Sequence, residues 1–506
     1  MRATPFLVAV PLFVAGCASL DARSDLERGA RLVETAVGVP PATLLADQQV
    51  ARSKTADLLA GGLTVDDAVQ VAMLNNPRVR AALLSIGVSR ADFVQSTLFT
   101  NPTLTLSLQW PDGGGLANFE AALTQNIAEL WLIPVRRRAA QRDLDRAVLD
   151  AAREVAAIAR DARTAYVRAI RAAGLQKIAR QQLEINEKLV EVALLRQQAG
   201  SGSEIDVNLA RTQKLESDTA VRNAALAVTE AQSELARTLG LSDAPDSLVL
   251  TDSLTQPVRW TLSADELRQT ARANRLDLQI ADRSVAAAEA RVREERVRFL
   301  KSVEIGFALE RGERRSRGDR NWAAETFFDS LQSRALTPPS LMPREREGTD
   351  FMIGPAFGVE LPLWDQNQAQ IAKAEALHGQ AVQFRDALLV DVAQDIHSRL
   401  ARARTAAENA RFFHDEQLPA AERSAELSRD AYRAGRLSFP SVLEAERSLL
   451  TARSGYLAAL ESAALATIDL ERVTGRPAAA LGAASDSSSS ATTQPAAASA
   501  PGEIEP

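Results

Sequence analysis

Four short segments of the chain alternate between apolar and polar or small residues with a period of two. They lie at residues 103–110, 117–124, 303–310 and 351–361. Such alternation predicts β-strands with one apolar face, and a length of about 8–11 residues suits a tilted strand that spans a bilayer. A sheet in water with one buried face produces the same alternation. The pattern therefore leaves both a membrane sheet and a soluble sheet open.

Most of the remaining chain has the pattern of long helices. No strong helix breaker lies deep within 128–199 or 368–434, except Pro134 near the start of the first stretch and Pro419 late in the second. Each stretch would extend roughly 100 Å if it were straight, at 1.5 Å per residue. The segment after the second stretch carries a seven-residue apolar repeat, which predicts coiled-coil packing. The repeat contains Val442, Leu449, Tyr456, Ala463 and Leu470.

The chain is an internal duplication. Residues 63–79 recur 199 positions later at 262–278, and residues 199–240 recur 235 positions later at 434–475. The difference of 36 positions predicts an insertion in the second copy. We place it at 311–348, a polar, arginine-rich stretch between the third and fourth strands. Each copy has two helices, a strand pair, a very long helix, a glycine-containing turn and a long return helix.

The amino-terminal segment predicts export. An apolar run at residues 6–13 follows Arg2 and is too short to span a bilayer, as in a secretory signal. A lone cysteine is commonly a buried apolar residue, but Cys17 follows Val-Ala-Gly at 14–16 and resembles the cysteine of a bacterial lipobox. We therefore expect cleavage before Cys17 and its lipidation. Ala18, in place of aspartate, favours sorting to the outer membrane by resemblance to bacterial lipoproteins.

Composition and charge fit an elongated helical molecule. Of the 506 residues, 46% are apolar but only 5% are aromatic. The net charge of −6 combines 59 basic with 65 acidic side chains, so the chain lacks the basic footprint of a protein that binds nucleic acid. A single cysteine excludes a disulfide framework and a cysteine-based zinc site.

The sequence contains no catalytic or metal-binding constellation. His378, His397 and His414 lie on one predicted helix at spacings of 19 and 17, whereas a shared metal site needs a spacing of three or four. No Walker sequence, nucleophile elbow or Rossmann glycine pattern occurs. We expect a protein that is not an enzyme and that holds no metal and no cofactor, apart from a covalent lipid on Cys17.

The turns between the long helices carry the most specific motif. The second turn has Tyr432, then Gly435 three residues on and Ser438 three residues after that. The first turn has Gly200 and Ser203 at the matching positions but lacks the tyrosine. Together with the duplicated strand pairs and the lipobox, these turns resemble the TolC-type outer membrane factor family over nearly the whole mature chain.

The resemblance implies a fold, an assembly and a function. The implied fold is mainly α with a small β part, in which a long coiled-coil α-helical barrel joins a transmembrane β-barrel. Four strands cannot close a barrel, because about eight is the minimum, so the resemblance implies a homotrimer that pools four strands per chain. The implied function is the outer membrane channel of a tripartite efflux system of the resistance-nodulation-division branch. The implied partners are a periplasmic adaptor protein, an inner membrane pump and outer membrane lipid, with no nucleic acid.

The resemblance also assigns roles to helix residues. Glu444 and Arg447 would line a periplasmic constriction, where three-fold symmetry brings like charges together around the axis. The alternative is an ordinary solvated pair at i,i+3 spacing. The helix-turn tips would dock the adaptor, and Ser203 and Ser438 would also cap the return helices. These tips are Gly200, Ser203, Gly435 and Ser438.

A trimeric barrel would give the two faces of each strand different surroundings. Polar strand residues such as Thr105, Glu304 and Glu360 would face water inside the barrel, and the aliphatic residues would face lipid. Trp110 and Trp364 lie at strand ends, where an aromatic girdle belongs.

These expectations divide the chain into five parts. They are a signal peptide at 1–16, a linker at 17–62, a first repeat at 63–261 with a hairpin at 103–125, a second repeat at 262–475 with a hairpin at 302–361, and a disordered tail at 476–506. The alternative function is a periplasmic coiled-coil scaffold lipoprotein whose hairpins form a soluble domain. The sequence does not identify the exported substrate, and residues 129–138 resemble the heavy-metal efflux branch only in part.

Overall fold

The computed structural model describes residues 20–110, 117–242, 248–257, 259–315, 322–335 and 346–481. The predicted signal peptide, Cys17, parts of the insertion and the tail beyond residue 481 lie outside the described residues. The first copy and the segment before it contain the helices α1 Arg23–Val37, α2 Pro41–Leu44, α3 Gln48–Ala60, α4 Val65–Asn75, α5 Pro77–Thr97, α6 Glu129–Gln198 and α7 Glu204–Leu239. The second copy contains α8 Ala264–Asn274, α9 Leu276–Val297, α10 Trp322–Ser333, α11 Gln368–Phe412, α12 Leu418–Arg433 and α13 Phe439–Thr474. The strands are β1 Thr103–Gln109, β2 Asn118–Asn126, β3 Val303–Arg315 and β4 Arg346–Val359.

The chain folds into two compact units. In the described residues, one unit contains 90–144 and 284–382, and it holds a four-stranded antiparallel sheet in the order β1-β2-β3-β4. The other contains 21–89, 145–283 and 383–481, and it holds the helical cores. The predicted class, mainly α with four strands, is confirmed.

The ends of the return helices repeat the same local structure in both copies. Gly240 and Gly475 end α7 and α13 with φ of 73° and 71°, a left-handed conformation that glycine adopts without strain. A Cβ atom at Gly240 would lie 2.7 Å from the Cα atom of Asn76, and one at Gly475 would lie 2.9 Å from the backbone of Asn274. Each copy therefore packs the end of its return helix against the end of its first helix in the same way.

The segment before the first repeat, which the sequence predicts to be a linker, contains the helices α1, α2 and α3. In α1, Ala30, Val33 and Val37 are spaced so that they share one helix face, and all three are buried. They belong to the same apolar core as Tyr166 of α6. Burial of this face removes apolar surface from water and so stabilises the packing of α1 against the core.

The strands extend into the predicted insertion at 311–348. The β3–β4 ladder continues past the expected boundary at residue 311 and pairs Arg311 with Phe351 and Arg315 with Arg346. Helix α10 lies within the connection that remains. Extended backbone pairs wherever a partner strand is in register, so charged residues lengthen these strands despite their polar composition.

The predicted helix at 368–434 divides before its proline. Residues Phe413–Gln417 form a single π turn, and α12 then begins at Leu418 with Pro419 in its first turn. Proline has no backbone N–H to donate and its ring crowds the preceding turn, which favours a local break.

The predicted tail begins later than expected, because Ala478–Leu481 form a 3-10 turn and Leu481 is buried in the core of the second copy.

Candidate channel surfaces

One face of the sheet is apolar and exposed across all four strands. The register aligns Leu104 with Leu123, and Leu123 with Phe307. These side chains are 61%, 50% and 70% exposed, and Ile353 and Phe357 on β4 are 73% and 79% exposed. A continuous apolar face of this kind marks a surface that lipid or protein covers.

The opposite face of the sheet is small or polar except at the exposed Met352, which lies opposite Glu310. Thr105 lies in a row with Ala122, Ala308 and Gly354. The next row places Glu120 directly opposite Glu310. Like charges that face each other across strands repel, so this pair needs water or cations around it.

The polar strand residues predicted from the sequence lie on the face that carries Thr105. Glu304 is exposed there, beside Gly358. Glu360 is also exposed, one residue beyond the end of β4. Sequence reasoning missed the Glu120–Glu310 pair, because which strand residues oppose each other depends on register.

Tryptophans lie at both ends of the sheet. Trp110 directly follows β1 and is 72% exposed, and Trp364 lies just beyond β4 and is 87% exposed. Strands β1 and β4 run in opposite directions, so their carboxyl ends lie at opposite ends of the sheet along the strand direction. The two tryptophans therefore lie at opposite ends of the sheet. From Val303 to Arg311 the strand is about 27 Å long at 3.4 Å per residue, and a tilt of about 40° would give it about 21 Å of height, near the apolar band of about 25 Å on membrane strands.

The two helical turns have the same backbone conformation. Gly200 and Gly435 adopt φ of 71° and 74°. In each turn an amide one residue after the glycine donates to a carbonyl five residues back, from Ser201 to Arg196 at 2.9 Å and from Arg436 to Ala431 at 2.8 Å. This bonding pattern ends a helix and reverses the chain.

The two predicted caps differ. The Ser203 hydroxyl accepts a hydrogen bond from the amide of Asp206 at 3.1 Å, and the Asp206 carboxylate accepts from the amide of Ser203. Ser438 occupies the same position in the second turn, but its side chain caps no amide, and its hydroxyl lies 3.1 Å from the Ser441 hydroxyl. The expectation that Ser438 caps α13 through its side chain is wrong. Pro440, at the second helical position, has no amide to offer.

Arg196 joins the two turns, and sequence reasoning missed it. Its guanidinium donates to the carbonyl of Tyr432 at 2.7 Å and to the carbonyl of Ser201 at 3.1 Å. The guanidinium carbon also lies 4.4 Å from the centre of the Tyr432 ring, a cation–π distance. Tyr432 is buried and packs edge-on against Phe439, and burial raises the pKa of its hydroxyl. The turn motif of the second copy identified Tyr432. Its partner Arg196 lies in the first copy, outside that motif.

Glu444 and Arg447, the predicted constriction residues, are both exposed on α13. The Arg447 guanidinium lies 3.5 Å from the side-chain oxygen of Gln213 on α7. In the single chain both charged groups therefore lie on the exposed surface of α13.

A buried carboxylate lies between them on the same helix, and no pattern in the sequence indicated its burial. Glu446 is only 1% exposed, and its carboxylate lies 3.2 Å from Nε of Arg429 on α12. Burial raises the pKa of Glu446, while Arg429 acts in the opposite direction. Asn186 on α6 is also buried and donates to the hydroxyl of Ser217 on α7 at 2.5 Å.

The described residues contain no group of histidine, cysteine, aspartate and glutamate that could hold a metal ion. His397 and His414 are exposed, and His378 is partly exposed. Searching the described helices for an apolar stretch long enough to cross a membrane finds none.

Comparison with known proteins identifies the family of the second copy. Residues 267–476 match the sequence profile of the family described as outer membrane efflux protein. This region is an outer membrane efflux protein domain. The resemblance to outer membrane factors is thereby confirmed, although no curated protein matches the chain as a relative.

Solved structures of two outer membrane channels and of a further bacterial membrane protein share the fold. The CmeC outer membrane channel of Campylobacter jejuni superposes with a TM-score of 0.63 at 15% identity, covering 81% of this chain and 85% of CmeC. A membrane protein from Pseudomonas aeruginosa gives 0.61 at 18% identity, covering 81% and 93%. The open state of the MtrE outer membrane channel of Neisseria gonorrhoeae gives 0.60 at 16% identity, covering 81% and 88%. The chain therefore has the fold of these proteins over most of its length.

Proposed function

We propose that this chain is the outer membrane channel of a tripartite efflux system and passes substrate from the periplasm or an inner membrane pump to the exterior. The sheet carries the proposal, because one face is apolar and exposed while the other carries carboxylates. A soluble sheet would leave the apolar face in water, which disfavours the scaffold alternative. The outer membrane efflux protein domain agrees with the channel.

The assembly we propose is a homotrimer. The sheet order leaves the outer edges of β1 and β4 without a strand partner within the described part of the chain. A bilayer does not tolerate open edges, because their N–H and C=O groups would be unsatisfied. Pairing β4 of one chain with β1 of the next closes a barrel of twelve strands after three chains.

Two measurements test this assembly and function. Light scattering of the detergent-solubilised protein should give three chains per particle, and the purified protein should form ion-conducting channels in planar bilayers. The scaffold alternative predicts a monomer or another oligomer without conductance. Mature protein of either kind could be tethered by a lipid, so membrane attachment alone does not separate the two functions.

Lipidation of Cys17 is a further part of the proposal and is supported by the lipobox. The intact mass of the mature protein should correspond to a chain that begins at an acylated Cys17. The Cys17→Ser variant lacks the anchor but should resist carbonate extraction because its strands remain inserted. An unmodified chain that begins at Met1 would exclude lipidation and leave the channel proposal intact.

The helix turns are the proposed docking site for a periplasmic adaptor, which would in turn contact the inner membrane pump. Gly200, Ser203, Gly435 and Ser438 lie in two turns that share one apolar core through Val207 and Phe439. A photo-crosslinking residue at Ser438 should capture the adaptor in cells, whereas one at the exposed Thr229 within α7 should not. Equal capture at both positions would place the adaptor elsewhere on the helices.

We place the periplasmic constriction at Glu444 and Arg447. Three copies of each would form charged rings, and the field of such rings selects ions. The double variant Glu444→Ala and Arg447→Ala should conduct more and lose cation preference while remaining a trimer. Alanine at Leu209 and Thr212, the matching positions of the first copy, serves as the control. Unchanged conductance in the double variant would return both residues to an ordinary solvated surface.

A further inference from the structure

Helix α10 presents an unpartnered aromatic face. Phe327, Phe328 and Leu331 are 61%, 67% and 59% exposed, and their spacing places them on one side of the helix. The two rings contact each other edge-on, with centroids 6.0 Å apart. Asp329 and Ser333 are exposed on the opposite side. The helix is therefore amphipathic, and its apolar side has no protein cover within the described chain.

We propose that α10 lies in the outer surface of the membrane, with Phe327, Phe328 and Leu331 inserted at the boundary between headgroups and acyl chains. The inference rests on the proposed function, which places the β3–β4 hairpin in the outer membrane. Amphipathic helices bind at this boundary by burying one apolar face about 5–10 Å deep.

Continuity with the apolar face of the sheet supports lipid as the occupant. On β3 and β4, Phe307, Ile353 and Phe351 form an exposed apolar stripe toward the end of the ladder that leads to α10. The ladder continues beyond Phe351 to the Arg315–Arg346 pair, and the insertion that contains α10 joins these strands. The exposed aromatic side chains of α10 thus belong to the hairpin whose own apolar face meets lipid.

The charge of the insertion also fits a lipid surface. Residues 311–348 contain eight arginines, no lysine and six acidic residues, a local excess of positive charge in a chain whose net charge is −6. Arg311 lies at the end of the apolar stripe, with its guanidinium carbon 6.0 Å from the centre of the Phe351 ring. Guanidinium groups bind phosphate in a planar, two-point geometry, so arginine at this height suits phosphate-bearing lipid headgroups.

A spin label tests where the apolar side of α10 lies. The variant Phe328→Cys places a label on the apolar side, and the matched control Ser333→Cys places one on the polar side. Labelled wild type reports any background from Cys17. The full-length trimer is reconstituted in vesicles of phosphatidylethanolamine and phosphatidylglycerol, and the collisions of each label with oxygen and with a water-soluble nickel chelate are compared.

The label at 328 should favour oxygen over nickel by roughly fivefold relative to the label at 333, because oxygen concentrates among the acyl chains in which the apolar side is buried. Vesicles of phosphatidylcholine alone should reduce this preference, because they lack net negative charge for the arginines. Equal access of nickel to both labels would overturn the proposal. Dipolar broadening between labels at 328 would also overturn it, because the apolar sides would then pack against other copies of the chain.

Conductance is measured on the same variants. If the channel conducts while the label at 328 is exposed to water, the result contradicts the membrane contact of α10 and leaves the proposed function intact. A trimer that neither inserts nor conducts contradicts the proposed function itself.

Discussion

Gly306 occupies a position in β3 where the neighbouring strand leaves no space for a side chain. A Cβ atom there would lie 2.2 Å from the carbonyl oxygen of Leu123 and 2.9 Å from the Cα atom of Thr124. Both atoms are backbone, so neither moves without disturbing the β2–β3 pairing. We expect Gly306→Ala to destabilise the sheet by about 3 kcal/mol, the upper end of the usual cost of overpacking.

The measurement is the yield of trimer by light scattering after expression at equal levels. Gly354→Ala is the matched control, because a Cβ atom at Gly354, in the same sheet, would meet nothing within 4 Å. Loss of trimer in both variants would mean that the sheet tolerates no substitution, whatever the local space.

Glu446 gives the helical unit a dependence on pH with a defined sign. Burial raises its pKa above the ordinary 4.5, against the opposing effects of Arg429, Gln182 and Arg453. Because the pKa of this acid is higher in the folded state, its contribution to the free energy of unfolding is fully present below pH 4.5. That contribution is lost as the pH rises through the folded pKa. Glu446→Gln removes this titration.

The free energy of unfolding of Glu446→Gln should therefore increase relative to wild type as the pH rises from 4.5 toward neutrality. Chemical unfolding of both proteins at several pH values measures this difference. The exposed Glu444→Gln variant is the control and should show no comparable trend, because Glu444 is on the surface of the same helix. A difference that stays constant with pH at position 446 would contradict the raised pKa.

At the scale of elements, the two return helices start differently although their sequences match in register. The Ser203 side chain accepts a hydrogen bond from the Asp206 amide, whereas Ser438 caps no amide of α13. Ser203→Ala should destabilise the start of α7 by about 1 kcal/mol, because an N-cap side chain satisfies an otherwise free amide. Ser438→Ala should change the free energy of unfolding by less than about 0.5 kcal/mol.

Hydrogen exchange of the first-turn amides measures both effects. Faster exchange at the start of α7 in Ser203→Ala, with little change at the start of α13 in Ser438→Ala, is the expected result. Equal acceleration in both variants would show that Ser438 caps its helix through its side chain in solution.

At the scale of the whole molecule, three chains would place six carboxylates from Glu120 and Glu310 in one row around the barrel. Clustered negative charge in a confined lumen attracts cations. The double variant Glu120→Gln and Glu310→Gln should reduce the preference for K⁺ over Cl⁻ several-fold. The measurement is the reversal potential of single channels in a salt gradient.

The exposed Asp57 on α3 provides the control, because Asp57→Asn removes a charge that lies outside the sheet. Its reversal potential should match that of wild type. An unchanged reversal potential in the double variant would place these carboxylates on the lipid side and invert the assignment of the two sheet faces.

The local features of this protein could be predicted because each depends on residues close together in sequence. Alternation with period two determined the strands and their apolar face, and heptad spacing determined the long return helix. Gly200 and Gly435 determined the turns because the left-handed backbone there favours glycine. The matching intervals between motifs determined the duplication and the presence of an insertion.

Only the tertiary structure decided which residues meet across long separations. Arg196 contacts Tyr432 across 236 positions, and no local pattern connects them. Glu120 faces Glu310 because of sheet register, and Glu446 is buried because α12 packs against it through Arg429. The motif that suggested a cap at Ser438 failed for the same reason. A hydrogen bond needs a specific donor in a specific geometry, and similarity of residue type does not supply one.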